Sequence, residues 1–371
     1  MKVLYLTSYP MAGPKSGARD HVKQMVKGLA DEGFEIELLS PLEYNSGLAS
    51  VIKRKYLMAK LTRKVLNEFH PDIIYYRFGS GDIFSIKEVV RHKIPYVVEL
   101  NTKTLPEFWV QRRFANLAIC YVTESWIYSH AAGIAAVSEE IYRYAVRSGK
   151  KEKPFLLAKN GVDIDSFVFH GYNPSLRQEF DTPLDAPLLV MIGALAPWHG
   201  IDILLQCLET PELQNFYLWL VGNLPISVIK NMASKEVLPR VRLIPWQPPE
   251  DLSHTLSAAD IGIGALAGYR KNTQETQALK TRTYLACGLP TLLGHKDPIL
   301  TEAQPFIANG SYTTIAQLSL EIKEFYELIR ENRHSLGEQA RQFAEQHLSW
   351  RVAARETVEF LEEICSSTKG K

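Results

Sequence analysis

Short apolar runs rich in Val, Ile, Leu and Tyr alternate along this chain with longer amphipathic stretches, and the series runs twice. A run that is apolar throughout suits a strand buried on both faces, and an amphipathic stretch suits a helix that covers it, so the pattern predicts parallel sheets layered between helices. In the first half the predicted strands are Lys2–Thr7, Glu35–Ser40, Ile73–Arg77, Tyr96–Leu100 and Gly133–Val137, with helical stretches such as His21–Glu32 between them. The second series comprises Leu188–Ile192, Tyr217–Val221, Arg242–Ile244, Ile261–Ala265 and Thr291–Leu293. Between them, Phe167 to Pro187 is dense in turn formers, so two α/β domains are expected, 1–167 and 188–348, joined by a linker at 168–187. The final helical stretch, 349–371, is expected to cross back to the first domain. A length of 371 residues suits that division.

With 42 Lys and Arg against 41 Asp and Glu, the formal charge is +1, which argues against nucleic acid as a partner. Any basic site has to be local. The cysteines Cys120, Cys207, Cys287 and Cys365 are scattered, in neither a disulfide framework nor a zinc spacing, and fit a reducing cytoplasm. No His/Asp/Glu cluster has metal-ligand spacing.

Three loops carry the chemistry. Tyr5 to Ala18 reads as strand, glycine loop with Gly13 and Gly17, then helix, and such a loop exposes N–H groups that can hold an anion or a polar substrate. Ile192 to Leu205 repeats the arrangement with Gly193 and the run Pro197-Trp198-His199-Gly200. Gly200 permits close approach of backbone to a ligand, and His199 is placed to donate to a phosphate or sugar oxygen. The third loop, Tyr269 to Thr276, leads into a helix from Lys280 that stops at Gly288-Leu289-Pro290. Its N-terminal dipole, with Arg270, Lys271, Lys280 and Arg282 nearby, suits a diphosphate.

The ordered set of motifs resembles a GT-B glycosyltransferase of the family-4, or group-1, type. It comprises Lys2–Leu6 with its glycine loop, Pro71–Arg77, Ile94–Asn101, Ala135–Ser138, Lys159–Asp163 with Phe167, Pro197–Gly200, Ala259–Ile263 and Lys280–Pro290. The resemblance implies two Rossmann-like, doubly wound parallel-sheet domains facing a central cleft. It also implies retaining, metal-independent transfer of a sugar from a nucleotide-sugar donor on the C-terminal domain to an acceptor on the N-terminal one. The acceptor would be a glycan, a lipid-linked molecule or a metabolite, and no cofactor is expected. Helix dipoles and basic side chains would stabilise the departing diphosphate.

By the same resemblance Glu275 corresponds to the first of two donor-site glutamates with seven residues between them, the one near the transferred sugar. The second position holds Thr283, which can hydrogen-bond a hydroxyl but cannot form a charged bidentate contact with a ribose. Ala194 and His199 stand where many members carry arginine and lysine. The leaving-group role is therefore assigned to Lys280, Arg282 and Arg270 with the helix N-termini, and Gly193, Trp198, Gly200 and Tyr284 are expected to line the donor site. Asn101 and Lys103, at a strand end, are expected on the acceptor side beside Gly13 and Gly17. Asn160-Gly161-Val162-Asp163 reads as a structural turn. Two other readings stay open: a non-catalytic GT-B protein that binds a nucleotide sugar or a partner subunit, and another enzyme on the same fold.

Lys53 to Lys64 holds six basic residues and no acid, with Leu57, Leu61 and Val65 at a spacing of four. Such a helix either lies on anionic lipid or packs its apolar stripe on the sheet. Leu105 to Phe114 adds aromatics beside arginines. A cytoplasmic protein, peripheral on the inner face of the membrane, is the corresponding expectation.

Overall fold

The computed structural model describes every residue except 12–16, 42–47, 80, 301–302, 311 and 370–371. Gly13 lies outside the described residues. By its contacts the chain forms two compact units, Met1–Asn160 with Trp350–Lys371, and Gly161–Ser349.

In the first unit the order is β1 (Lys2–Thr7), α1 (Gly17–Asp31), β2 (Glu35–Leu39), α2 (Leu48–Phe69), β3 (Ile73–Arg77), α3 (Ile83–Arg91), β4 (Tyr96–Leu100), α4 (Thr104–Val110), α5 (Phe114–His130), β5 (Gly133–Ala136), α6 (Glu139–Gly149) and β6 (Phe155–Leu157). The second unit runs β7 (Leu188–Ile192), α7 (Ile201–Cys207), β8 (Tyr217–Val221), α8 (Ile226–Met232), β9 (Val241–Ile244), α9 (Pro249–Ser257), β10 (Ile261–Ile263), α10 (Leu279–Ala286), β11 (Thr291–Leu293), β12 (Ile307–Asn309), α11 (Ile315–Ile329) and α12 (Arg333–His347). The last helix, α13 (Trp350–Lys369), returns to the first unit and packs on α1. Gly28 makes that packing close, since a Cβ there would stand 2.6 Å from the Ala354 Cβ.

Each unit holds one six-stranded sheet, every pairing parallel, in the orders β2-β1-β3-β4-β5-β6 and β12-β11-β10-β7-β8-β9. The central strands β1, β3, β4, β7, β8 and β10 are buried along almost their whole length, which is why they read as unbroken apolar runs. In the second sheet the chain winds outward from β7 to β9, returns, and winds the other way from β10. Strand order therefore reverses between β7 and β10, where open α/β sheets form ligand crevices at the carboxyl ends of their strands.

The expected linker is corrected by the contacts. The change of unit falls between Asn160 and Gly161, and the stretch 168–187 is bound to the second unit. Its short 3-10 helix, Pro174–Phe180, buries Arg177. That guanidinium pairs with Asp260 at 2.9 Å and donates to the carbonyls of Leu184, Ala186 and Ala258 at 2.7–2.9 Å. Turn formers thus describe the backbone of this segment, while buried contacts, with Arg177 at their centre, tie it to the second unit.

Candidate functional site

The switch point of the second sheet gathers most of the donor-side residues. Strand β7 ends at Ile192, and Gly193 follows at φ +135°, a conformation that favours glycine. Its neighbour at the end of β8, Gly222, has φ +148°, and a Cβ there would stand 2.3 Å from the Gly193 carbonyl oxygen. Two strand ends therefore meet backbone to backbone. Past Gly193 the chain makes a short turn, Pro197–His199, and enters α7 through Gly200 at φ +72°. The carbonyls of Trp198 and His199 each accept from the segment that follows β10, at Ala267 N–H and Leu266 N–H, both 3.0 Å. This seats Trp198-His199-Gly200 across the β7/β10 reversal.

Helix α10 closes the site from one side. Residues at i, i+3 and i+4 share a helix face, so Lys280, Thr283 and Tyr284 lie together. The buried Tyr284 hydroxyl accepts from the Ile192 N–H at 2.8 Å and donates to the Ile263 carbonyl at 3.2 Å, bolting the ends of β7 and β10 together. Burial pushes its pKa up, so it stays a phenol. Tyr284 is thus a support beneath the glycine loop. Thr283 is buried beside it.

Lys280 points at the loop itself. A Cβ on Gly193 would lie 3.7 Å from Lys280 Nζ and 3.0 Å from His199 Cε1, so cation and imidazole bracket the same glycine. Lys280 as a residue is half-buried, but its Nζ is out of contact with solvent and has no hydrogen-bond partner. Desolvation pushes its pKa down to about 7. An amine so placed is short of an anion.

His199 differs from the expectation. Its Nδ1 sits 2.7 Å from the Ala194 carbonyl, which can only accept, so Nδ1 carries the proton there. Burial, with Lys280 as the second cause, lowers its pKa to about 3. The ring is neutral and presents Nε2 as an acceptor, so it does not donate to a phosphate in this state.

The two arginines are corrected outright. Arg282, two residues after Lys280, points the other way because two residues turn a helix by about 200°. It is fully buried and forms a bidentate ion pair with Asp297, and it also donates to Gln277 at 3.0 Å. It is therefore closed to a diphosphate. Arg270 donates bidentately to Asp202 at 2.6 and 2.9 Å and to the Pro197 carbonyl at 2.8 Å. It ties the Gly268–Lys271 turn to the Pro197–His199 turn, so its part is to hold the loop. Lys271, noted only as a nearby cation, places Nζ 5.1 Å from the centre of the Trp198 ring.

Glu275 lies in the segment before α10, where it pairs with Lys296 at 2.6 Å in an isolated parallel bridge after β11. Lys296 and Asp297 were missed in the sequence because they belong to an ordinary polar loop. Only pairing across the sheet ends shows that they anchor both ends of the Glu275–Arg282 segment.

In the first unit, Asn101 donates to Glu99 Oε1 at 2.7 Å and Lys103 pairs with Glu140 at 2.6 Å. Gly17 opens α1 and is exposed. Glu99 is the centre of a buried cluster with Arg77, His21 and the Tyr5 hydroxyl. Burial would raise its pKa, but Arg77 and His21 outweigh that and hold the carboxyl well below its ordinary range. Among the described residues no group of three or more His, Cys, Asp or Glu is arranged to hold a metal.

Residues 15–166 match the sequence model of Glycosyltransferase Family 4. No curated protein matches the chain by sequence. Among solved structures, sucrose-phosphate synthase from Thermosynechococcus elongatus superposes with a TM-score of 0.76 at 14% identity, covering 99% of this chain and 100% of that one. A glycosyltransferase from Rickettsia africae gives 0.72 at 16% identity, over 98% of each chain. HepE of Anabaena, in complex with UDP and glucose, gives 0.68 at 17% identity, over 98% of this chain and 100% of that one. The chain thus has the GT-B fold over its length, and its residues 15–166 are similar to Glycosyltransferase Family 4.

Proposed function

We propose that this chain is a retaining glycosyltransferase that takes a nucleotide-sugar donor on its second unit and a glycan, lipid-linked or small-molecule acceptor on its first. The observation that carries this reading is the buried, unpartnered Lys280 Nζ beside Gly193 at the β7/β10 reversal. In the transfer, the acceptor hydroxyl oxygen bonds to the anomeric carbon as the bond from that carbon to the diphosphate oxygen breaks. The bonding pair leaves with the diphosphate, and the hydroxyl proton is released. Lys280, protonated, meets the charge that develops on the leaving group, and the N–H groups at the start of α10 add to it. This cation, rather than a resident metal or cofactor, is assigned the leaving-group role. Glu275 faces the transferred sugar, and Trp198 and Gly200 shape the approach to the diphosphate. HepE, bound to UDP and glucose, supports a uridine nucleotide as the first donor to try.

The decisive experiment is thermal stabilisation across a panel of nucleotide sugars, followed by transfer assays. A ligand at about 100 times its Kd adds about 2.7 kcal/mol. One nucleotide sugar that stabilises the protein and is consumed supports transfer. A second reading, binding without turnover, rests on the engaged state of Arg270 and Arg282 and on Thr283 at the second carboxylate position. Stabilisation with no product would select it.

We also place the protein in the cytoplasm, peripheral on an anionic membrane through α2. There Lys53, Lys60 and Lys64 are exposed, as are Tyr56, Leu57 and Leu61. The expected stripe packs only in part: Val65 lies against the core while Leu57 and Leu61 face out, and Met58, Ala59 and Leu66 make up the inner face instead. Among the described residues no helix is long and apolar enough to cross a membrane.

A further inference from the structure

Helix α5 lacks the polar outer face that a surface helix ordinarily presents. From Phe114 to Thr123 it holds no charged residue. Cys120, Ile127 and Tyr128 point into the core, while Phe114, Ala118, Tyr121 and Val122 are exposed at the i, i+4, i+7 and i+8 spacing of a single face. Tyr121 is 73% exposed and Val122 71%. Beside this face, α4 turns out Trp109, 65% exposed, with its ring edge-on to Phe114 at 6.0 Å. Between the two helices lies a groove of about 570 Å³ lined by Leu105, Trp109, Phe114, Leu117, Tyr121 and Val122 among others, all apolar. An unbroken exposed apolar face of this kind marks a contact surface.

Charge around the groove selects the contact. The turn joining α4 to α5 carries Arg112, exposed and left-handed at φ +55°, and Arg113. Within 103–123 the one acid is Glu107, which accepts from Gln111 at 3.1 Å. α5 packs on α3 and α3 on α2, so the exposed Tyr56, Leu57 and Lys60 of α2 and Phe84 of α3 belong to the same helical layer. Aromatic and aliphatic side chains ringed by Lys and Arg complement a surface that is greasy below and anionic above.

We propose that the α4–α5 hairpin inserts into the headgroup and acyl boundary of an anionic membrane, with Trp109, Phe114, Tyr121 and Val122 entering the lipid and an acyl chain lying in the groove. The inference deepens the peripheral-membrane part of the proposed function and rests on it. The α2 lysines supply attraction that salt screens, whereas the hairpin supplies apolar burial that salt leaves in place.

The test uses the full chain and sedimentation with phosphatidylcholine vesicles made with and without phosphatidylglycerol. The expected result is binding to the anionic vesicles, part of which survives about 1 M salt, where the Debye length is about 3 Å. Trp109→Glu with Val122→Glu should lower the salt-resistant partitioning at least about tenfold, because it places charge where apolar atoms leave water. Lys53→Glu with Lys60→Glu should weaken only the low-salt binding. All four positions are exposed, so the melting temperature and the nucleotide-sugar stabilisation should not change in either variant. Absence of vesicle binding, or equal binding by the Trp109/Val122 variant, overturns the proposal. So does a dimer in solution that this variant dissolves, since the face would then cover a second copy. Vesicle binding without nucleotide-sugar stabilisation would sink the donor reading and leave the membrane inference standing.

Discussion

Arg282 and Asp297 meet in a bidentate ion pair sealed from solvent, while Lys280, two residues earlier on the same helix, leaves its Nζ buried without a partner. Helical geometry divides the labour. One cation holds the loop after β11, and the other is left for an anion that the protein itself does not supply.

Lys280→Met should abolish stabilisation by nucleotide sugars and reduce transfer by at least about a hundredfold, the loss of one electrostatic contact at a developing charge. It should also raise the melting temperature of the ligand-free protein at pH 6, because it removes a buried amine that must be charged there. Calorimetric scans with and without ligand check both halves. Stabilisation that persists in the variant would remove Lys280 from the site.

Binding of a nucleotide sugar should take up a proton near neutral pH. Lys280 titrates at about 7 in the empty site, and a bound diphosphate favours its charged form. The diphosphate of a nucleotide sugar does not titrate in this range, so affinity should fall by up to about tenfold per unit of pH above 7. Titration calorimetry in buffers of different ionisation enthalpy measures the uptake directly. Affinity that is flat from pH 6 to pH 9 would contradict it.

Breaking the buried pair should be a stability lesion. Asp297→Ala leaves Arg282 uncompensated and should cost about 3–5 kcal/mol, read as a lower urea midpoint. Lys280→Met carries no such cost. A mild effect of Asp297→Ala would mean that Arg282 finds another partner, and would reopen its role at the donor site.

Glu124, on the inner face of α5, is buried and accepts from the Tyr144 hydroxyl at 2.8 and 2.9 Å and from Ser148 at 3.2 Å. Desolvation outweighs those bonds and pushes its pKa up to about 7, above the value of about 4.3 in an unfolded chain. The folded state then binds the proton more tightly. Its stabilising contribution is complete below about pH 4 and is lost as pH rises to about 7, amounting to about 4 kcal/mol. Glu124→Gln should flatten this slope and make the variant the more stable protein at pH 8. Parallel pH–stability curves would refute the assignment.

The doubly wound architecture was legible in the sequence because buried parallel strands must be apolar on both faces, and that signal needs no tertiary information. Lys2–Thr7, Ile73–Arg77, Tyr96–Leu100, Leu188–Ile192, Tyr217–Val221 and Thr291–Leu293 are strands over the ranges expected. The edge strands Phe155–Leu157 and Ile307–Asn309 went unseen, since three residues carry no usable period. The glycine loops were also legible, because Gly193 and Gly200 adopt backbone angles that other residues resist. What the sequence could not decide was the state of its charges. Arg270, Lys280 and Arg282 are equivalent as letters in a basic loop and helix. Folding brings Asp202 to Arg270 from 68 residues away and Asp297 to Arg282 from 15, and brings none to Lys280. A side chain's availability depends on which partners the folded chain delivers to it, and that is a property of three-dimensional proximity rather than of residue type.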